Sequence, residues 1–175
     1  ERRQQILAAR PAPTCPDFSD GQTVYLWGES RRLRLEPAAR GRNAFLRDQD
    51  IVLQVHPGDT PAQRQALLNS FYRAQLDARI RACLPYWEGK TGLHPASVQI
   101  KNMKTRWGTC NTAAKRIWLN LQLVKQPPVC LDYVLAHELT HLLHPDHGNG
   151  FWAFLLRVMP DCKAIRKALN ETPFL

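Results

Sequence analysis

The stretch Val134–His147, VLAHELTHLLHPDH, holds four of the chain's six histidines and one glutamate. Within it, His137, Glu138 and His141 spell H-E-x-x-H. On a helix, residues i and i+4 share a face, with Cβ atoms about 5–6 Å apart. Two imidazole nitrogens so placed can reach one ion at about 2.0–2.1 Å, the zinc–nitrogen distance. Glu138, one step round the helix, stands beside such an ion without binding it. There its carboxylate can take a proton from an attacking water. Histidine is a mediocre helix former, so a purely structural helix gains little from this crowding. The pattern assigns His137 and His141 as metal ligands and Glu138 as general base.

A catalytic zinc site keeps one position open and takes three protein ligands. His144 lies on the same helical stripe but would stand about 10.5 Å from His137 along the axis, too far to converge on one ion. Pro145 disfavours helix at His144, and the PDHGNG run that follows lets the chain double back. His147 is therefore the expected third ligand. His144 is left to orient a ligand or to end the helix, where a cation suits the dipole.

These side chains need elements to hold them. TVYLW (23–27), LRL (33–35) and IVLQV (51–55) read as short strands broken by Gly28, Pro37 and Gly41, a small N-terminal β-meander. Thr60, Pro61 and Gln63 form a helix start with a capping box, and an apolar stripe carries that helix to about Trp87. SVQIKN (97–102), TRWGTC (105–110) and RIWLNL (116–121) read as three strands, the last two joined by a hairpin at 111–115. The histidine helix follows, with Leu135, Leu139 and Leu142 on its core face. Two further helices, 151–159 and 161–170, flank Pro160. The expected fold class is α+β, with helices on one face of a largely antiparallel sheet. Residues 1–20 read as a loose N-terminal arm carrying Pro11, Pro13 and Pro16, and residues 21–175 as a single domain.

No apolar run approaches the roughly 20 residues of a membrane span. ERRQQILAARPAP lacks the apolar core and cleavage pattern of a secretory leader. The five cysteines are dispersed and show no C-x-x-C, so they read as buried or free thiols of a cytoplasmic protein. The net charge is +9, and between Glu88 and Asp132 there are seven basic residues and no acidic one. The basic 89–131 segment is either a solvated face or a surface for an anionic or nucleic-acid partner.

HELTHLLHPDHGNGFW, preceded by MKTRWGTC and IWLNLQL, resembles the YgjP-like zinc metallopeptidases, relatives of the SprT-type and WLM proteases within the zincin superfamily. The resemblance implies a zincin-like fold and one zinc ion per chain on His137, His141 and His147, with Glu138 as base. Metzincins share the His137-to-His147 spacing, but His144 stands where they have glycine. Zincins commonly bind an extended peptide along an edge strand above the metal. In that reading Arg106 meets an anion, Trp107 walls a subsite and Gly108 admits the substrate backbone. Alternatively Trp107 is core and Gly108 marks a bulge. Arg106 and Tyr133 are the candidates for an oxyanion donor. The expected function is a zinc metallopeptidase acting on a peptide or protein substrate. The rivals are a metal-dependent hydrolase of a nucleotide or other phosphoanhydride, and a non-enzymatic nucleic-acid module with a structural metal.

Overall fold

A computed structural model describes residues 17–171. Most of the expected arm, and Cys15, lie outside the described residues. Its last residues pack down: Phe18 is buried in the core, and Asp20 Oδ1 accepts from Leu35 N at 2.8 Å.

Four strands form the first sheet: β1 (Thr23–Leu26), β2 (Glu29–Pro37), β3 (Asn43–Arg47) and β4 (Asp50–Val55). Trp27 and Gly28 both have positive φ (53° and 84°) and make the tight β1–β2 turn. The expected meander is not formed. The spatial order is β1-β2-β4-β3, and β4 runs parallel to β2. The reason lies in β4 itself. Ile51, Val52 and Leu53 are all buried, and a strand apolar on both faces belongs in the middle of a sheet. The half-exposed β3 is left to the edge.

Helix α1 (Pro61–Thr91) begins with the full Thr60–Gln63 capping box and ends on Gly92 in the left-handed region at φ 71°. Leu68, Phe71, Tyr72, Leu76, Ile80, Cys83 and Trp87 form its buried stripe. The second sheet holds β5 (Ser97–Lys101), β6 (Gly108–Asn111) and β7 (Arg116–Asn120), in the order β5-β7-β6. The β6–β7 pair is the expected antiparallel hairpin, whereas β5 pairs with β7 in parallel. The strands thus lie in two sheets rather than one. Antiparallel pairings lead parallel ones three to two among the described residues.

A 3₁₀ turn (Leu121–Lys125) leads into α2 (Pro128–His141), and α3 (Asn149–Val158) and α4 (Cys162–Glu171) complete the chain. Leu131, Leu135, Ala136 and Leu139 of α2 are fully buried, with α1, α3, α4 and β6 packed around them. The β1–β2 turn braces the entry to α2. Trp27 N donates to Val124 O at 2.7 Å, and a Cβ built on Gly28 would meet Pro127 Cγ at 2.9 Å. No helix is long and apolar enough to cross a membrane among the described residues. Cys83, Cys110, Cys130 and Cys162 are free thiols.

Candidate metal centre

His137 and His141 occupy the last turns of α2, which stops at His141 as its carbonyls are drawn inward: the Thr140 carbonyl accepts from both Leu143 N and His144 N. The chain then reverses through Pro145–Gly148, with Gly148 capping α3. This turn carries His147 back over α2 until its Nε2 is 3.0 Å from His137 Nε2. One ring nitrogen from each of His137, His141 and His147 lies within 4.8 Å of the other two, so the three could hold a metal ion. Two nitrogens about 2.1 Å from one ion at a tetrahedral angle stand roughly 3.4 Å apart, within the observed spread.

The protonation states also suit a cation. Burial, then repulsion from His141 and His147, push His137 down to about 3. Burial lowers His141 as well. His137 and His141 are therefore neutral at pH 7, with lone pairs available. His141 Nδ1 lies 3.1 Å from the His144 carbonyl, which can only accept, so Nδ1 carries the proton and Nε2 faces the centre. His144 thus contributes through its backbone, while its ring packs 6.0 Å from Phe154. On the other side Tyr133 Oη stands 3.4 Å from His137 Nδ1, and burial pushes its phenol up to about 12.

A platform not singled out from sequence lies beneath. The Phe151 ring, fully buried, sits 4.8, 4.7 and 4.7 Å from the rings of His137, His141 and His147. Its signal was present as a phenylalanine four residues after His147, at the start of an apolar helix.

Glu138 is only 5% exposed, and burial raises its carboxyl to about 8, with Arg106 pulling the other way. It packs against β6. A Cβ built on Gly108 would fall 2.7 Å from Glu138 Oε1 and 2.8 Å from Val134 Cγ1. Gly108 pairs in regular register with Leu119, so it marks no bulge, and the space it leaves open is filled by Glu138.

A cleft of about 270 Å³ opens over His137, Glu138 and His147, and Arg106, Trp107 and Gly108 all line it. The expected strand over 105–110 begins only at Gly108, so Lys104 and Arg106 do not share a strand face. The preceding loop is pinned by Asn120, which is fully buried. Its Nδ2 donates to Met103 O at 2.9 Å and Arg106 O at 2.7 Å, and its Oδ1 accepts from Met103 N and Gln122 N. Trp107 is half-buried, packed on the core while it lines the cleft. α4 also lines it, through Arg166, Leu169 and Asn170, none of which local sequence pattern marks. Of the seven cations in the 89–131 segment, only Arg106 lines this cleft. Lys90 lies over the Tyr86 and Trp87 rings and Lys101 over Trp118. A larger hollow of about 580 Å³ over β2 and β4 is lined by the Arg32–Asp50–Arg34 ion pairs and contains no histidine.

No curated protein matches this chain. Among solved structures, the metallopeptidase zymogen abylysin of Pyrococcus abyssi matches with 22% identity and a TM-score of 0.48, over 51% of this chain and 90% of that one. The family description "YgjP-like, metallopeptidase domain" matches residues 1–172. With that match running nearly end to end, the chain belongs to the YgjP-like metallopeptidase-domain family.

Proposed function

We propose that this protein is a zinc-dependent peptidase in which His137, His141 and His147 hold the ion and Glu138 is the general base. The observation that carries this reading is the convergence of three imidazoles next to a buried carboxyl that forms no ion pair among the described residues, at a cleft. A zinc ion there supplies Lewis-acid polarisation of the scissile carbonyl and lowers the pKa of water. Glu138, buried beside these ligands, would be favoured in its ionised form by a cation held there. The Glu138 carboxylate then takes the proton of the attacking water and delivers it to the leaving amine. Gly108 holds β6 against Glu138, which limits the carboxylate's freedom to swing away. Tyr133 and the His144 carbonyl orient the first two imidazoles, and Phe151 supports all three. β6 is an edge strand of its sheet, which supports extended binding of a peptide backbone beside Gly108. A structural metal is normally closed by four protein ligands, whereas only three converge among the described residues, which counts against a non-enzymatic module.

The test pairs elemental analysis with digestion of a peptide library. Glu138→Gln should retain the ion and lose about 10²–10⁴-fold in turnover. His147→Ala should lose the ion, and His144→Ala should keep it. A Gln variant with wild-type turnover would end the reading.

A further inference from the structure

The cleft has two walls, and each offers an arginine. Arg106 comes from the Asn120-pinned loop before β6, and Arg166 from α4. Neither forms an ion pair with a carboxylate among the described residues. Each is nonetheless set in place: the Arg106 carbonyl accepts from buried Asn120, and the Arg166 guanidinium lies 5.1 Å over the Trp152 ring. The single acidic residue lining the cleft is Glu138, which is buried against Gly108 and forms no ion pair with either arginine among the described residues. Two arginines lining one cleft, one on a pinned backbone and one with its guanidinium over a ring, outnumber its single carboxylate and make a site that lacks a negative charge.

We infer that Arg106 and Arg166 form an anion subsite, so that the preferred substrate is a peptide with an acidic side chain next to the scissile bond. This rests on the peptidase reading above and gives it a substrate class. The cleft's size agrees. At about 270 Å³ it is smaller than the roughly 300–1,000 Å³ of an ordinary small-molecule site, which suits a side chain. Its apolar members, Trp107, Val134 and Leu169, can cover the methylenes of a glutamate while the guanidiniums take the carboxylate. A polyphosphate fits less well. Such groups are cradled by glycine-rich amide loops at helix N-termini, often with a lysine, whereas this cleft has no lysine and one glycine.

The test uses two peptides identical except for Glu or Gln flanking the cleaved bond. Binding to zinc-loaded Glu138→Gln protein is measured by tryptophan fluorescence, and cleavage by the wild-type protein alongside. The Glu peptide should bind and turn over about tenfold better or more, as a charge-assisted hydrogen bond provides. Arg166→Gln and Arg106→Gln should each cut that preference, chiefly through KM, with melting temperature and zinc content unchanged. Arg166→Lys should restore part of it, since a point charge cannot replace a fork. Equal binding of the two peptides, or a preference unaltered in both Gln variants, would overturn the assignment. Tight binding of inorganic tripolyphosphate without Glu/Gln discrimination would do the same and point to phosphoanhydrides. Discriminating binding without cleavage by the zinc-loaded wild type would uphold the subsite and sink the peptidase reading instead.

Discussion

Gly108→Ala isolates a contact that the structure makes unusually narrow. The added methyl would lie 2.7 Å from Glu138 Oε1, 2.8 Å from Val134 Cγ1 and 2.9 Å from Glu138 Cγ. Real Cβ contacts are not that short, so either Glu138 swings out or β6 moves off α2. Val134 cannot yield easily, because it is 3% exposed on the central helix. Overpacking of this kind costs about 1–3 kcal/mol. Replacing glycine also stiffens the unfolded chain, which stabilises by about 0.4–1 kcal/mol. The net loss is about 1–2 kcal/mol, or about 2–8 °C in Tm for a chain of this length. The catalytic effect should be larger in proportion. A displacement of about 1 Å at the proposed base can cost on the order of 100-fold in kcat. The atoms nearest the new methyl belong to Glu138 and Val134 and not to a histidine, so zinc content should hold. Calorimetry, elemental analysis and peptide turnover on one preparation separate these effects. Gly89→Ala is the control: nothing lies within 4 Å of its added Cβ, and in α1 it should stabilise by about 0.5–1 kcal/mol. Wild-type Tm and turnover in Gly108→Ala would refute the claim that Gly108 positions Glu138.

Asn120→Ala should be severe, because it removes a fully buried side chain that bonds four backbone groups. We expect a loss of at least about 2 kcal/mol by denaturant melts, with KM rising as the Arg106 loop is released. Phe151→Ala should weaken zinc retention in a chelator titration while all three ligands remain, and retention equal to wild type would show the platform to be idle. The Arg42 bond to Asp59 holds that carboxyl well below its usual range. A depressed pKa stabilises the fold above the unfolded value of about 3.9, and this contribution is lost as pH falls below it. Asp59→Asn should therefore flatten the fall in Tm between pH 5 and pH 2, and an unchanged acid limb would count against the pair.

What was legible in the sequence follows the range of the interactions. The H-E-x-x-H pair, the reversal after Pro145 that returns His147, the Thr60 capping box and the 111–115 hairpin are each settled within about ten residues. Three of the four N-terminal strands were found, β3 (Asn43–Arg47) was missed, and their order was not read, because period-two alternation marks a strand without naming its neighbour. The parallel β2–β4 and β5–β7 pairings are settled by burial across the whole fold. TRWGTC is strand-like in composition, yet residues 104–107 answer to a buried asparagine some 14 positions on. Arg166 reaches the cleft only because α4 packs on α2, and no local pattern encodes that.

The same division separates two jobs within the site. The proposed ligands span His137 to His147 and their support ends at Phe151, so the ion's position depends on one helix, one turn and the start of the next helix. The cleft lining beside the proposed ion site includes residues 106 and 166, 60 positions apart in the chain, and β6 and α4 each pack on α2. A substitution that shifts α4 can therefore change what the cleft accepts without altering the nitrogens that face the ion. Glu138 belongs to both parts. It lies between the two ligands of α2, yet its placement is enforced by a glycine on the opposite wall. The proposed base is thus the point at which movement of β6, and of the Asn120-pinned loop that precedes it, couples directly to the chemistry.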